Sequence, residues 1–473
     1  MTPRMSDNMQ SITAPLPETA LAELRAILHE RLLTDPGDCM SYAYDNSRQI
    51  ALPQAVGFVQ EESEVLAIVR VCRAHGIRLT ARGRGTNTTG ASVPVAGGLV
   101  LSFERMTKIL RISPGDRMIE CEAGCLNGDV QRAAAEHGLF WAPDPTSADY
   151  ATVGGNLACG SGGPRAVKYG TARDNVLGLS AVTGAGELIH AGCHTTKGVV
   201  GYDLTRLMIG SEGTLGLITR ATLKLLPRPS QLRTLRATYE DVASAVVAVT
   251  RIMGQPAQPC ALEFFDGEAA RLAQAWRDCG IPQNTGAMLL IDIDGEEPGL
   301  SGDVDAVIKA ASPPGLIELR RAESAEERQD LWAARKALSP SLRKLAPRKV
   351  NEDVVVPVTR LPELLSGIST LSEQHGIQIV CFGHAGNGNI HVNLLADPAD
   401  PAQQRGIEAC LHEVFRLVLK LDGTLSGEHG VGVAKRAFVA WEVDPASLRL
   451  MRQIKQVFDP AEILNPGKTI PDA

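Results

Sequence analysis

The chain has 473 residues, of which 44% are hydrophobic and 21% are charged, and its formal net charge is −7. This length exceeds one ordinary hydrophobic core, so the composition predicts a globular protein of two or three domains. The excess of acidic residues and an aromatic content of only 4% argue against a nucleic-acid surface built on basic patches and base stacking.

The cysteines and the apolar runs indicate the cellular compartment. Ten cysteines are scattered along the chain, and only Cys121 and Cys125 are close, at a spacing that is not the CxxC of a zinc or iron–sulfur site. Free thiols in a reducing cytosol are therefore expected. No apolar run approaches the roughly 20 residues that span a bilayer, and residues 1–17 lack the apolar core of a signal peptide. We predict a cytoplasmic protein, with peripheral association at the inner membrane left open.

The first two thirds of the chain alternate between helix and strand patterns. Ser63 is a candidate cap for an amphipathic helix over residues 64–72, which would end at Gly76. A strand pattern over residues 77–81 follows, and a second helix is expected over residues 127–137. This order predicts an α+β fold with mixed sheets.

A glycine-rich loop, residues 82–90, directly follows the predicted strand. Its glycines allow backbone amides to approach an anionic ligand closely, and its arginines and hydroxyls add donors. The loop therefore suits a pyrophosphate. It matches the dinucleotide fingerprint GxGxxG only loosely, because a strand follows where that motif needs a helix. A plain surface loop is an equally open alternative.

Two further segments, residues 143–163 and 201–216, carry the same mixture of glycine and hydroxyl side chains. Such stretches are poor core material, since glycine loses the most conformational entropy on folding. Three of them in one domain predict a long ligand laid against the backbone. After them, Pro227 and Pro229 close a strand pattern and indicate a domain boundary.

A split cluster near the end of the chain offers three imidazoles and a carboxylate beside glycines, in residues 383–393 and 427–430. A set of histidine and carboxylate ligands that leaves one coordination position open is common at catalytic divalent-metal sites. A strand over residues 390–393 would put His391 and Asn393 on one face, and the glycine loop before it could bring His384 back towards that face. His429 would then be left to act as a base. Ordinary turn glycines with polar neighbours are the alternative.

With these motifs in order, the chain resembles the flavin-dependent D-2-hydroxyacid dehydrogenases. This group holds D-lactate dehydrogenases, the FAD subunit of glycolate oxidase and D-2-hydroxyglutarate dehydrogenases. The resemblance covers about residues 45–468 and includes a C-terminal signature, Asn465-Pro466-Gly467-Lys468. It implies an α+β fold, the two-domain vanillyl-alcohol-oxidase or PCMH-type FAD fold, with an antiparallel-sheet substrate (cap) domain.

The resemblance also implies the domain limits. An FAD-binding domain is expected over residues 1–228, with its core at about 50–228. A C-terminal substrate or cap domain is expected over residues 229–473, of which residues 421–473 would pack back on the FAD domain.

Cofactor contacts follow from the same resemblance. FAD would be held non-covalently, because Thr86 stands where some members of the wider fold have the histidine that links FAD, and no histidine occurs between His75 and His137. The implied FAD-binding residues are Arg82, Gly83, Arg84, Gly85, Thr86, Asn87, Thr89, Gly90, Pro143, Thr146, Thr152, Gly154, Gly155, Asn156, Ala158, Gly162, Gly163, Tyr169, Glu212, Gly213, Gly216, Ile218 and Asn465.

Catalytic roles are carried over in the same way. The implied ligands of a divalent metal, Zn²⁺ in preference to Mn²⁺, are His384, His391 and Glu428. His429 is the implied base, and Asn393 is expected near the substrate. Arg335 matches the arginine that binds the substrate carboxylate, as a bidentate pair that lysine could not reproduce.

Ser339 lies four residues after Arg335 and shares its helical face if the helix continues. It also precedes Pro340, so capping of a following helix is an equally open alternative.

These roles predict a mechanism. A D-2-hydroxy acid would bind the metal through its hydroxyl and carboxylate oxygens, His429 would take the hydroxyl proton, and hydride would pass to the flavin. Without an NAD motif, a cluster or a haem ligand set, the expected electron acceptor is a quinone, a cytochrome or an electron-transfer flavoprotein. A homodimer is an open possibility for the assembly. The alternatives are a metal-free alcohol oxidase of the same fold and a non-catalytic protein that binds FAD and zinc.

The size of the substrate depends on one lysine. The D-2-hydroxyglutarate enzymes place a lysine two residues before an Asp in a strand that ends at a proline. Here Asn351 takes that place before Asp353, and Lys349 lies two residues further back, about 6.6 Å along a strand. A second carboxylate without a cation would be desolvated and unpaired. We therefore predict a monocarboxylate such as D-lactate, glycolate or a larger D-2-hydroxy acid. The alternative is D-2-hydroxyglutarate held by Lys349, and Arg343, Lys344 and Arg348 are close enough in sequence to take that role as well.

Overall fold

In the computed structural model, residues 15–472 are described. They contain fifteen α-helices and eighteen β-strands. The strands are β1 (Leu32–Leu33), β2 (Ala55–Phe58), β3 (Leu79–Arg82), β4 (Leu99–Ser102), β5 (Ile109–Ser113), β6 (Met118–Glu122), β7 (Leu139–Phe140), β8 (Val176–Thr183), β9 (Leu188–Gly192), β10 (Gly216–Lys224), β11 (Leu226–Pro227), β12 (Gln231–Tyr239), β13 (Ala261–Asp266), β14 (Ala287–Gly295), β15 (Leu316–Arg321), β16 (Arg348–Val355), β17 (Gln378–His384) and β18 (Asn389–Ala396). The helices are α1 (Glu18–Leu28), α2 (Pro36–Cys39), α3 (Glu62–His75), α4 (Asn127–Ala135), α5 (Val153–Cys159), α6 (Ala166–Tyr169), α7 (Leu204–Met208), α8 (Val242–Met253), α9 (Gly267–Trp276), α10 (Gly299–Ala310), α11 (Ala325–Ser341), α12 (Leu361–His375), α13 (Pro401–Lys420), α14 (Val439–Glu442) and α15 (Pro445–Phe458).

The chain forms two compact units. Unit 1 comprises residues 1–162, of which the described part begins at Pro15, together with residues 171–228 and 428–473. Unit 2 comprises residues 163–170 and 229–427. Each unit therefore contains stretches that are distant in sequence.

Unit 1 contains a mixed four-stranded sheet and an antiparallel five-stranded sheet. The first has the order β1-β2-β4-β3, in which β4 runs parallel to both β2 and β3. The second has the order β5-β6-β10-β8-β9. Apolar residues of α1 and α3, such as Leu24 and Ile68, pack with Leu99 and Leu101 of β4 in one buried core. The glycine-rich loop begins at the carboxyl end of β3, where the parallel strands end together.

The start of α3 differs from the prediction. The helix begins at Glu62 with Glu61 in the N-cap position, so Ser63 lies in the first turn and the predicted cap at Ser63 is wrong. The predicted end is confirmed, because Gly76 adopts φ 65° and its N–H bonds the carbonyls of Cys72 and Arg73. This left-handed conformation is the one that glycine adopts at least cost.

Unit 2 is built on a seven-stranded antiparallel sheet with the order β15-β12-β14-β13-β17-β18-β16. On one face, Phe265, Leu290 and Phe382 pack with apolar residues of α9 and α11. The alternate residues, among them Phe264 and Leu289, are buried as well. Because successive strand residues point to opposite faces, both faces of this sheet are covered.

Two general expectations concern the thiols and the membrane. The ten cysteines are free thiols, with none paired in a disulfide within residues 15–472. Among the helices of that range, none combines the length and apolar character that a bilayer-spanning segment requires.

A tight turn joins β17 to β18 and sets the spacing of the two histidines on either side of it. The turn is a short 3-10 helix, Ala385–Asn387, followed by Gly388 at φ 73°. A Cβ atom at residue 388 would overlap the carbonyl oxygen of Val356. The turn therefore requires glycine at this position both for its conformation and for the close approach of the backbone.

We predict that Gly388→Ala lowers the free energy of unfolding of the chain by about 2 kcal/mol or more, because it adds strain and a clash with backbone. Gly299→Ala is the matched control, since a Cβ there has no atom within 4 Å and Gly299 begins α10. Thermal unfolding of both variants measures the difference. Equal midpoints for the two variants would contradict this account of the turn.

Candidate active site

In unit 1, the glycine-rich loop lies against the segment that follows Pro143. A Cβ atom at Gly83 would overlap the hydroxyl of Thr152. Thr152 caps α5 by accepting a hydrogen bond from the N–H of Gly155 at 3.2 Å. Two of the three glycine-rich segments are thus in close contact, as a ligand laid along both of them would require.

Two buried polar atoms in these segments are unsatisfied. Within residues 15–472, neither Oγ1 of Thr88 nor Nδ2 of Asn156 has a hydrogen-bond partner. Buried polar groups normally have partners, so orphaned ones suggest a ligand that supplies them. The segments therefore fit a polar, elongated cofactor.

Arg82 has a structural role that the sequence did not reveal. Its side chain is buried, its Nη1 donates to the carbonyl of Tyr44 at 2.7 Å, and its guanidinium lies over the ring of Tyr42. Burial lowers the pKa of Arg82, although nearby acidic groups oppose this effect. Arg82 thereby fixes the start of the loop.

Asn87 connects the loop to the segment of His429 within unit 1. Its Oδ1 accepts from the N–H groups of Thr89 and Ala91, at 2.9 and 3.0 Å. Its Nδ2 donates to the carbonyl of His429 at 3.1 Å, and the hydroxyl of Thr89 donates to the same carbonyl at 3.3 Å. The backbone of the predicted base is therefore fixed to the glycine-rich loop.

Glu212 holds the residues just after His429. This fully buried carboxylate accepts from the N–H groups of Val431 and Gly432, both at 2.8 Å, and from the hydroxyl of Thr469 at 2.6 Å. Burial raises the pKa of Glu212, while these hydrogen bonds oppose the rise. Because its side chain is occupied by protein donors, Glu212 acts on the His429 segment as a positioning residue.

Asn465 extends this network to the C-terminal signature. Its Nδ2 donates to the carbonyls of Ala91 and Glu212, at 2.9 and 2.6 Å, and its Oδ1 accepts from Nζ of Lys468 at 2.7 Å. Burial lowers the pKa of Lys468 to about 8. The signature thus anchors both the glycine-rich loop and the Glu212 turn.

In unit 2, a buried carboxylate joins two of the predicted site residues. Glu263 on β13 is fully buried, its Oε2 accepts from Nε of Arg335 at 2.7 Å, and its Oε1 lies 2.5 Å from Nδ1 of His384. Burial alone would raise the pKa of Glu263, but the adjoining His384 and Arg335 lower it to about 2. Glu263 was not predicted from the sequence, and only its register opposite His384 on β17 indicates it.

Arg335 is oriented for a second acceptor. It lies on α11, is buried, and its guanidinium is 4.8 Å from the centre of the Phe382 ring. Glu263 accepts only from Nε, and across the described residues no hydrogen bond engages its Nη1 and Nη2 groups. These two nitrogens form the edge of guanidinium that pairs with carboxylates.

The predicted metal histidines are neighbours on one sheet face. The ring centres of His384 and His391 are 5.1 Å apart and the rings are nearly perpendicular, at 86°. An Nδ1–H of His384 directed at Glu263 leaves Nε2 as the nitrogen that carries the lone pair for a metal, a common second-shell arrangement. The two imidazoles therefore fit a divalent cation.

Asp353 is a further candidate ligand that the sequence analysis did not assign to the metal. It lies opposite His391 in the β16–β18 pairing, and ligand atoms of the two residues are within 4.8 Å of each other. Its oxygens accept from Nδ2 of Asn389 at 2.7 Å and from the N–H of Gly427 at 2.9 Å. Glu428, the residue after Gly427, belongs to unit 1 together with His429. A carboxylate oxygen of Glu428 lies within 4.8 Å of a ring nitrogen of His429.

Asn393 and Asn351 are paired across the same two strands. Asn393 is fully buried, and its Nδ2 donates to the carbonyls of Val380 and His391, both at 3.1 Å. In the part of the chain that the structure describes, Oδ1 of Asn393 and Oδ1 of Asn351 have no hydrogen-bond donor. Both amides can therefore accept from a bound molecule.

Ser339 and Lys349 are brought together. Nζ of Lys349 donates to Oγ of Ser339 at 2.7 Å and lies 3.3 Å from its carbonyl oxygen. The alternative that Ser339 caps a following helix is wrong, because α11 continues through Pro340 to Ser341. Ser339 and Arg335 thus lie one turn apart on a single helix.

The predicted cofactor residues are divided between the units. Gly163 and Tyr169 belong to unit 2, and all the others belong to unit 1. The hydroxyl of Tyr169 donates to Asp294 at 2.8 Å, and Nζ of Lys168 lies 2.5 Å from the same carboxylate. Burial raises the pKa of Tyr169, so this hydroxyl is a donor at neutral pH. Its side chain is therefore held by Asp294 within unit 2.

Two protein-family models match the chain in succession. An FAD-binding domain family matches residues 53–192, and the family of C-terminal domains of FAD-linked oxidases matches residues 228–469. The chain is 36% identical over 428 residues to glycolate oxidase subunit GlcD of Bacillus subtilis, covering 90% of this chain and 91% of that protein. It is 34% identical to a D-lactate dehydrogenase of Archaeoglobus fulgidus, with 91% and 95% covered. It is also 32% identical to a D-2-hydroxyglutarate dehydrogenase of Stutzerimonas stutzeri, with 94% and 97% covered.

Solved structures confirm the fold. The chain superimposes on p-cresol methylhydroxylase with a TM-score of 0.79 at 18% identity, over 96% of each chain. It superimposes on 4-ethylphenol oxidase from Gulosibacter chungangensis with a TM-score of 0.78 at 18% identity, over 98% of each chain. These likenesses confirm the predicted two-domain α+β fold of the vanillyl-alcohol-oxidase type.

The protein is thus a flavoprotein oxidoreductase with the vanillyl-alcohol-oxidase fold. More narrowly, the chain belongs to the family of FAD-linked oxidases that holds glycolate oxidase subunits, D-lactate dehydrogenases and D-2-hydroxyglutarate dehydrogenases.

The Glu212 network gives a testable prediction. In Glu212→Gln an amide NH₂ replaces one of the two acceptor oxygens that face Val431, Gly432 and Thr469, so we expect a loss of about 1–3 kcal/mol in the free energy of unfolding. Glu136→Gln, at an exposed position of unit 1, is the control and should be neutral. Denaturant unfolding of the FAD-loaded proteins measures both changes. A Glu212→Gln protein as stable as the control would show that these hydrogen bonds do not hold the His429 segment.

Proposed function

We propose that this protein oxidises a D-2-hydroxy acid to the corresponding 2-oxo acid. The three relatives are named for glycolate, D-lactate and D-2-hydroxyglutarate, which share a carboxylate beside a hydroxyl-bearing carbon. The observation that carries the proposal is the Arg335–Glu263–His384 array on the unit 2 sheet. Glu263 holds both Arg335 and His384. The array therefore presents the free guanidinium edge of Arg335 to a carboxylate and the free nitrogen of the His384 imidazole to a metal.

Arg335 binds the substrate carboxylate in this proposal. Its Nε is held by Glu263, so its Nη groups are preorganised for a bidentate pair and lose little entropy on binding. Asn393 accepts a hydrogen bond from the substrate through Oδ1. These contacts fix the orientation of the α-carbon.

A divalent metal fits the neighbouring residues. We propose His384, His391 and Glu428 as ligands, with Asp353 either as a further ligand or as the carboxylate that orients His391. Two imidazoles with carboxylates favour Zn²⁺ over Mn²⁺. The chemistry that such a cation supplies, when bound, is to lower the pKa of a coordinated hydroxyl.

His429 removes the hydroxyl proton as general base. Its carbonyl is held by Asn87 and Thr89, and the residues after it are held by Glu212. The ring is therefore carried by a segment whose backbone is fixed to the cofactor loop. The chemistry that FAD supplies, when bound, is acceptance of the hydride from the α-carbon.

The attachment of the cofactor and the fate of the electrons complete the proposal. FAD is bound non-covalently, because Thr86 cannot form the histidyl link. The acceptor is a quinone, a cytochrome or an electron-transfer flavoprotein. The cytoplasmic location, peripheral membrane association and a homodimer stay predictions.

We propose a monocarboxylate, D-lactate or glycolate, as the preferred substrate. Asn351 occupies the place of the lysine that would bind a second carboxylate, and Lys349, two residues before it, already donates to Ser339. D-2-Hydroxyglutarate stays the second candidate, because Ser339 and Lys349 lie one helical turn beyond Arg335. In that case Lys349 would exchange Ser339 for the distal carboxylate.

Anaerobic bleaching of the flavin tests the substrate class. D-lactate and glycolate should reduce the bound FAD, and kcat/KM for D-lactate should exceed that for D-2-hydroxyglutarate, because the second carboxylate lacks a dedicated cation. Lys349→Met is the diagnostic variant and should leave the D-lactate rate within about threefold, since monocarboxylates do not reach that residue. A tenfold preference for the diacid that Lys349→Met abolishes would select the second candidate. A flavin that no D-2-hydroxy acid bleaches would disprove the proposed function.

Two histidine variants separate the metal from the base. His391→Ala should lose the metal and turnover while FAD stays bound, because His391 lies outside the FAD segments. His429→Asn should keep the metal and the flavin but slow flavin reduction by about 10²–10⁴-fold, the usual contribution of general base catalysis. Metal analysis and stopped-flow reduction measure both effects, and EDTA treatment of the parent protein should reproduce the His391→Ala result. Full activity in a demonstrably metal-free preparation would favour the metal-free oxidase instead.

A further inference from the structure

Asn351 and Asn393 form a pair of amides in unit 2 with unused hydrogen-bonding capacity. They stand directly opposite each other in the antiparallel pairing of β16 with β18, so their side chains share one face of the sheet. Oδ1 of each residue is buried, and across residues 15–472 neither oxygen has a hydrogen-bond donor. Buried acceptors are normally paired, so two neighbouring ones without donors point to a ligand.

The orientation of the Asn393 amide is fixed by the protein. Asn393 is fully buried, and its Nδ2 donates to the carbonyls of Val380 and His391, both at 3.1 Å. Exchanging its nitrogen and oxygen would place Oδ1 against two carbonyl oxygens, which cannot donate. Asn393 therefore presents an acceptor, and not a donor, to a bound molecule.

The pair lies on the sheet face that also carries the proposed carboxylate site. The guanidinium of Arg335 is 4.8 Å from the centre of the Phe382 ring, and Phe382 is opposite His391 in the β17–β18 pairing. Asn393 is two residues after His391, which keeps it on the same face about 7 Å along the strand. Apolar residues of this face, among them Val380 and Phe382, pack with α11, the helix that carries Arg335. The guanidinium and the two amides thus occupy neighbouring positions of one face.

The charges and acceptors at this position disfavour three kinds of ligand group. An ionised carboxylate has no hydrogen to donate, so a second carboxylate would bring oxygen against oxygen. An apolar side chain would leave both amide oxygens buried and unpaired, which is costly. An ammonium group would be repelled by Lys349, which is two residues from Asn351 on the same face and donates to Oγ of Ser339 at 2.7 Å. The favoured group is therefore a neutral donor such as a hydroxyl.

D-Lactate and glycolate do not supply this donor. Each carries a single hydroxyl, and in the proposed function the proton of that hydroxyl goes to His429. The ionised carboxylate, which pairs with Arg335, has no hydrogen to offer. The oxygens of Asn351 and Asn393 therefore need hydroxyl groups beyond the one that reacts.

We propose that the substrate is a D-2-hydroxy acid whose side chain carries further hydroxyl groups, and that Asn351 and Asn393 select it by accepting hydrogen bonds from them. The inference rests on the proposed function and narrows it, because it ranks hydroxylated monocarboxylates above D-lactate and glycolate. D-Glycerate has one further hydroxyl, and D-erythronate has two. A site that hydrogen-bonds a substrate hydroxyl discriminates against the analogue without it, because its buried polar groups are then left unpaired.

The test compares acids of equal carbon number in anaerobic flavin reduction by the full-length, FAD-loaded protein. D-Glycerate is paired with D-lactate, and D-erythronate with D-2-hydroxybutyrate. We expect kcat/KM for the hydroxylated acid to exceed that of its partner by about tenfold or more in at least one pair.

One substitution assigns this preference to the amide pair. Asn351→Leu should reduce the ratio of the preferred pair to about threefold or less, because it removes one of the two acceptors. Asn351 is chosen because the amide of Asn393 also binds two backbone carbonyls. Asn284→Leu, at an exposed position of unit 2, is the control and should keep the ratio of the parent protein.

The outcomes separate this inference from the proposed function. Ratios below about tenfold in both pairs, with a flavin that D-lactate bleaches, would overturn the inference alone. This comparison needs only the parent protein, so it decides even where Asn351→Leu does not fold. A preference that a folded Asn351→Leu protein retains in full would also overturn the inference, because the hydroxyl would then be bound elsewhere. A flavin that none of the four acids bleaches would overturn the proposed function and the inference with it.

Discussion

The fully buried carboxylate of Glu263 is the interaction on which the organisation of the unit 2 site depends. Removing a carboxylate from water is costly unless charges and hydrogen bonds compensate for it. Here Arg335 from α11 and His384 from β17 meet the two oxygens of one residue on β13. The anion therefore links a helix and two strands, and it sets which edge of the guanidinium and which nitrogen of the imidazole remain for a ligand.

A second buried carboxylate, Glu212, has the corresponding role in unit 1. It accepts from backbone N–H groups just after His429 and from Thr469, while Asn465 donates to its carbonyl. Glycine is required beside it, because a Cβ atom at Gly430 would overlap the Glu212 carboxylate. The C-terminal segment of the chain is thereby joined to the glycine-rich loop, from which it is separated by more than 300 residues.

The two units contribute different chemistry. Unit 1 carries the glycine-rich segments and the His429 backbone, whereas unit 2 carries Arg335, His384, His391 and Asn393. Family membership establishes an FAD-dependent oxidoreductase, and the names of the relatives converge on 2-hydroxy acids. In the proposed function, the unit 2 residues serve this chemistry with a guanidinium edge for a carboxylate beside imidazoles for a cation.

The amino-acid sequence was sufficient to predict the family and the fold class. Each motif alone left a plain alternative open, a surface loop or ordinary turn glycines, and the order of all the motifs along the chain identified the family. Local patterns also located the end of α3 at Gly76, but not its start, because Glu61 takes the N-cap position without a side-chain cap hydrogen bond. The extent of α11 past Pro340 was likewise undecided by local sequence.

Only the tertiary structure revealed Glu263 and the pairing of Lys349 with Ser339. Glu263 is 72 residues from Arg335 and 121 residues from His384, whereas Lys349 is ten residues from Ser339, and both sets become neighbours through strand register or helix packing. A lone glutamate in an apolar strand carries no motif, so its partners cannot be read from local pattern. The sequence determined which chemical groups the protein contains, and the register of the seven-stranded sheet decided which of them are in contact.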